Sequence, residues 1–128
     1  INTLEVMAFS ALKTVSNGME KLYCPMIDAR RMEVFTALYD GSLKTLLPPA
    51  AVILDENFDN RLPEGKPILV FGNGSKKYSG SRMARENILT DAGHLGQLAS
   101  LRYAAKAFTP AETAVPYYGK AFFTPPVK

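Results

Sequence analysis

Tyr23-Cys24-Pro25-Met26-Ile27-Asp28-Ala29-Arg30-Arg31-Met32-Glu33-Val34-Phe35-Thr36-Ala37-Leu38-Tyr39 is the stretch that decides the fold. Tyr23 to Ile27 and Val34 to Tyr39 are rich in aromatic and branched residues, which favour a pleated, half-buried surface, and the four charges between them favour water. The stretch predicts a β-hairpin with a charged, solvent-facing tip. Asp40-Gly41 then turns the chain into a third short strand, Leu43 to Leu46, giving a three-stranded antiparallel meander that Pro48-Pro49 closes.

Upstream of the hairpin, Thr3 is expected to cap a helix running to about Ser16. Leu4, Ala8, Ala11, Leu12 and Val15 lie on one face, with Val6, Met7 and Phe9 on others. A helix that is apolar nearly all round needs two covering surfaces. Asn17-Gly18 ends it through the left-handed conformation those residues tolerate. Downstream, Ala50 to Leu62 reads as a short helix rimmed by Asp55, Glu56 and Asp59, and Pro63 to Pro67 as a loop. Ile68-Leu69-Val70-Phe71 is a continuous apolar run of strand length, ending in Gly72-Asn73-Gly74, with Ser75 to Ser79 opening a helical turn. A further short strand is expected at Asn87 to Leu89. The clearest helix spans Leu95 to Phe108, with a broad apolar side of Leu95, Leu98, Ala99, Leu101, Tyr103, Ala105 and Phe108, stopped by Thr109-Pro110. The aromatic tail, Val115 to Val127, is expected to lie along the domain in extended form.

The 128 residues suffice for one compact core and are too few for two ordinary domains. No apolar run approaches the ~20 residues of a membrane-spanning helix. The formal charge of +3 comes from scattered basic residues, not from the dense basic stripe with interleaved aromatics that marks a nucleic-acid reader. The lone cysteine, Cys24, cannot form an internal disulfide and fits a reducing, cytoplasmic setting as a small packed hydrophobe. The only histidine, His94, falls in a Gly/Asp-rich segment expected to be a helix-entry loop, where it would be poorly placed to activate Cys24. The first residue is Ile1, and the chain reads as a trimmed piece without a targeting segment.

Three constellations bear on chemistry. Gly72-Asn73-Gly74 would let a ribose or phosphate approach the backbone, but the further glycine of a dinucleotide fingerprint and the Gly-Lys-Ser/Thr of a P-loop are both missing; a plain turn is the simpler reading. Asp28 and Glu33 lie five apart across the hairpin tip. With Arg30 and Arg31 between them both should stay ionised, as exposed ion pairs or as a surface for another protein, since arginine is enriched at interfaces. One His and one Cys cannot supply a usual zinc ligand set, and no Ser/His/Asp order can be assembled. No catalytic residue, metal site or cofactor is expected.

Ile27 to Tyr39, with its Asp-Ala-Arg followed by Glu-Val-Phe, resembles the signature hairpin of the TsaB (YeaZ) family. Thr3-Leu4-Glu5-Val6-Met7-Ala8 is similar to the start of that family's lobe-joining helix, and Val70 to Gly74 to its strand and glycine turn. Ala114 to Tyr118 is similar to its closing segment, in a variant of Bacteroidetes type. The resemblance implies an α/β, RNase H-like lobe of the actin/Hsp70/sugar-kinase two-lobe fold, a mixed sheet with flanking helices, here the C-terminal lobe only. Its sheet would be the meander extended by Ile68 to Phe71 and covered by the helices near 3–16 and 95–108. It also implies a non-catalytic scaffold supporting the transferase TsaD and the ATPase TsaE in threonylcarbamoyladenosine modification of tRNA, with tRNA contacted only indirectly. By analogy with the wider fold, Asp28 and Arg30 correspond to a phosphate hairpin and Gly72, Asn73 and Gly74 to an adenosine turn. Both are remnants here, because bulky arginines replace the small residues that phosphate binding exploits. Arg30, Arg31 and Glu33 become the protein-contact candidates. Loss of the first lobe would expose the Thr3 to Ser16 helix and favour a homodimer. The alternatives are a nucleotide-binding lobe of an actin-like ATPase or kinase and, third, a glycoprotease-type peptidase.

Overall fold

A computed structural model describes residues 1–80, 82–85, 88, 90, 92–112 and 114. A five-stranded mixed sheet in the order β3-β2-β1-β4-β5 forms its centre, with β1 Leu22–Asp28, β2 Glu33–Tyr39, β3 Thr45–Ile53, β4 Ile68–Phe71 and β5 Met83–Arg85. β1, β2 and β3 form the expected antiparallel meander, and β4 runs parallel to β1 with Leu22 opposite Ile68 and Pro25 opposite Phe71. β5 continues the sheet, parallel to β4. This is the α/β architecture with a mixed sheet that the hairpin led us to expect.

Side chains alternate across the sheet with the period of two that pleating imposes. Tyr23, Ala37, Tyr39, Leu69 and Phe71 pack on one face against Leu4, Met7, Ala8 and Ala11 of the helix α1, Thr3–Thr14. Leu22, Cys24, Met26, Val34, Leu38, Ile68 and Val70 pack on the other against Leu54, Phe58 and Leu62. Because both faces are covered, β4 carries four consecutive buried apolar residues, which is why it reads as an unbroken run.

Several expectations are corrected. The α1 cap is Asn2, whose side chain accepts the Leu4 N–H at 2.8 Å, rather than Thr3; Asn17, left-handed at φ 55°, lies beyond the helix end at Val15. The third strand neither spans 43–46 nor stops at the prolines. Leu38 pairs with Leu47 and Thr36 with Ala50, so Pro48-Pro49 fall in a bulge opposite Ala37 on an edge strand, where a missing N–H costs no ladder bond. β3 therefore takes up the first part of the expected 50–62 helix, and only a 3-10 turn, Phe58–Arg61, remains of it. A strand stands at Met83–Arg85, and the strand expected at 87–89 falls at residues 87 and 89, which lie outside the described residues.

The second helix, α2, spans Ala92–Ala104 and ends before Phe108 through a left-handed Lys106, not at Thr109-Pro110. It packs on α1 rather than on the sheet, through Leu98 against Val6 and Phe9 and an Arg102–Glu5 ion pair. The all-round apolar α1 is thus sandwiched between sheet and α2. The expected broad apolar side of α2 is mostly in water: Leu98 is buried, whereas Leu101 is 59% and Tyr103 74% exposed. The tail from Val115 to Val127 lies outside the described residues.

Candidate functional site

The hairpin tip and the glycine turn, 45 residues apart in sequence, meet at one end of the sheet. β1 and β4 run parallel, so both deliver their C-terminal ends there. Gly74 N–H donates to Met26 O at 3.0 Å, and Asn73 Oδ1 accepts the Asp28 N–H at 2.8 Å. Asp28, Gly72, Asn73 and Gly74, which sequence reasoning had treated as two motifs, thus belong to one cluster. Gly72 has φ 101°, and a Cβ there would lie 2.2 Å from Met26 O; a Cβ on Gly74 would meet Val34 Cγ1 at 2.9 Å and the Ile27 carbonyl carbon at 3.0 Å. Close packing of the turn onto β1 therefore accounts for glycine at both positions.

The Asp28 carboxylate has two partners. Its Oδ1 accepts the Arg30 backbone N–H at 2.9 Å and is ion-paired with Lys77 Nζ, which also donates to Glu33 O at 3.3 Å. The Lys77 hydrogen bond, then the Arg30 N–H, hold the Asp28 carboxyl below the usual aspartate range. The expected ion pairs between the tip carboxylates and Arg30 or Arg31 do not form at Asp28, because Lys77 of the 3-10 turn Ser75–Lys77 reaches it first. Nothing local to the hairpin could have signalled that partner, which lies 49 residues away.

Inside the tip, Ala29 N–H donates to Glu33 O and Glu33 N–H to Arg30 O, both at 3.0 Å. The loop places two non-glycine residues in the left-handed region, Arg30 at φ 76° and Arg31 at φ 48°. Both side chains are exposed, as is Met32, at 49%. Beside the tip, Leu54 N–H donates to Met32 O at 2.7 Å, which brings the Asp55-Glu56 segment alongside. A shallow recess there is lined by Asp55, Glu56, Phe58, Lys77 and Tyr78. Tyr78 donates to Asp59 at 2.5 Å, and burial, then that bond, push its hydroxyl up to about 12.

Two other groups with chemical potential are closed off. Cys24 is buried on the sheet face away from α1, touches Thr36 Oγ1 at 3.4 Å and is pushed up to about 11 by desolvation, so it stays a neutral thiol. His94 lies within the first turn of α2 rather than in a loop, and its Nδ1 is 2.9 Å from Ser10 Oγ. The Ser10 hydroxyl donates to Val6 O at 3.0 Å, which assigns the His94 Nδ1 as donor. Ser10 is fully buried inside α1, so this Ser–His pair, which sequence reasoning missed, joins two helices and does not present a nucleophile. Cys24 and His94 lie on opposite sides of the sheet. Among the described residues no group of three His, Cys, Asp or Glu is placed to hold a metal, and no helix is long and apolar enough to cross a membrane.

No protein-family model matches this chain. The Bacillus subtilis (strain 168) tRNA threonylcarbamoyladenosine biosynthesis protein TsaB is 28% identical over 102 residues, covering 75% of this chain and 43% of its own length. Two solved structures from Pseudomonas aeruginosa share the fold: an uncharacterized protein with similarity to peptidase YEAZ, at TM-score 0.73 and 22% identity over 94% of this chain, and YeaZ, at 0.71 and 23% over 92%. The chain spans 57% of each solved chain and less than half of the curated relative. By sequence and by fold it is a relative of the TsaB/YeaZ proteins, as the hairpin wording implied.

Proposed function

We propose that this relative of TsaB/YeaZ is the C-terminal lobe of a two-lobe, non-catalytic scaffold in the cytoplasmic modification of tRNA to threonylcarbamoyladenosine, supporting TsaD and TsaE. The observation that carries the proposal is the 28% identity to a protein named for that biosynthesis, over three quarters of this chain. Three features favour a supporting role. The buried thiol is neutral, the Ser–His pair is locked between helices, and the glycine turn packs against backbone. The surface offered to a partner is the tip, where Arg30 and Arg31 point to solvent and Glu33 flanks them half-buried. Co-purification of the full-length protein with TsaD tests the proposal. Retention at low salt is expected, and failure to associate there removes the scaffold reading.

A further inference from the structure

A helix at the surface of a protein normally turns its charges outward. In α2 the only acidic or basic side chains are His94 and Arg102, and both turn inward to α1, His94 onto Ser10 and Arg102 onto Glu5. Leu98, between them, fills the contact with Val6 and Phe9. The next row round the helix, Ala92, Leu95, Gly96, Ala99 and Tyr103, recurs at three- and four-residue spacing and is exposed throughout, Leu95 at 44% and Tyr103 at 74%. Gly96 stands inside the helix with nothing within 4 Å of where its Cβ would lie, so no packing among the described residues accounts for it. Glycine weakens a helix interior and admits a close approach where it is kept. An uncharged row of apolar and small residues has the composition of an interface core rather than of a solvated face.

The path of the chain narrows the occupant. The Arg102–Glu5 pair sets the first turn of α1 against the last turn of α2, so Ile1, itself exposed, enters at the Tyr103 end of the row. α2 rests on α1 and not on the sheet, which leaves the row open on the side from which α1 is reached. In the solved relatives this fold accounts for 57% of the chain. On the two-lobe reading the remainder is a lobe ahead of Ile1, and α1 delivers it beside the uncharged row.

We infer that the row Leu95, Gly96, Ala99 and Tyr103 is the seat of the first lobe, an apolar joint through α2 that holds the two lobes as one body. This rests on the two-lobe reading above and goes beyond it. The test uses the full-length protein with a photo-reactive side chain, Leu95→benzoylphenylalanine or Tyr103→benzoylphenylalanine, and maps the cross-linked peptides. Both positions are exposed on this lobe, so neither change disturbs its core. Cross-links from both to residues ahead of Ile1 in the same molecule are the expected result. An Ala99→Glu variant adds a second readout: a charge forced into the joint should lower the Tm of the full-length protein by about 5 °C or more. Cross-links to residues 115–128 or to a second copy, or none at all, overturn the inference and leave the two-lobe reading standing. A parental Tm in Ala99→Glu overturns it too, because the row would then face water. If the gene encodes no lobe ahead of Ile1, the two-lobe reading itself fails and this inference with it. Co-purification with TsaD tests the scaffold role separately, and its failure does not move these readouts.

Discussion

Two turns share one end of the sheet and obey opposite rules. After β4, glycine stands where the backbone turns left-handed and where a Cβ would strike Met26 O at 2.2 Å. At the hairpin tip, the same backbone region is filled by Arg30 and Arg31. The first turn is explained wholly by packing. The second violates local preference without repayment inside the fold, and such violations tend to mark working surfaces. The Asp28–Lys77 pair and the Asn73 bond tie the two together, so the compliant turn braces the strained one.

The largest expected effect comes from breaking the compliant turn. Gly72→Ala adds a Cβ into Met26 O at a positive φ and should cost about 3 kcal/mol or more, read by urea denaturation. A variant of parental stability would show that packing does not require glycine there. Next comes the difference between the hairpin's closed body and its open end. Cys24 is buried with its thiol pushed up to about 11, so alkylation at pH 8 should be roughly a hundredfold or more slower than in the denatured chain. Because folding raises this pKa, its contribution to stability is whole below the unfolded thiol's pKa and is lost as pH rises through about 11.

The brace itself titrates with the opposite sign. Asp28 has a lowered pKa, so its bonds to Lys77 and Arg30 are intact above the ordinary aspartate range, near about pH 4, and are lost as pH falls through the depressed value. The protection factor of the Arg30 amide, its exchange rate relative to the unfolded chain at the same pH, should fall only on that acid side. In a Lys77→Met variant the onset should move to higher pH, and an onset that stays put would separate Lys77 from the brace. The smallest effect is the most telling: Arg31→Gly alone should shift stability by no more than about 1 kcal/mol, in the favourable direction or not at all.

What the sequence revealed depended on how local the cause was. β1, β2 and β4 were legible because their apolar residues face a core on one side or both, and the charges between Ile27 and Val34 could only be a tip. β3 was misread because the fate of Pro48-Pro49 is settled by pairing with β2: Leu54, Phe58 and Leu62 have helical spacing, but an edge bulge kept the strand running. α2 was recognised as a helix, yet which of its apolar residues are covered depends on α1, whose apolar contact with it centres on Val6 and Phe9. At the candidate site, the hairpin and the glycine turn were each visible. Their joining through Asn73 and Lys77 spans more than forty residues and left no periodic trace. The left-handed arginines were hidden too, since nothing in Asp-Ala-Arg-Arg-Met-Glu says which residue turns the corner.

The account stands on the tip being a contact surface, and amide hydrogen exchange on the full-length protein, alone and with TsaD, tests that most directly. Slowed exchange at residues 29–33 and 54–57 on complex formation is the predicted result. A complex in which those amides exchange as freely as before, with protection confined to other segments, would contradict it.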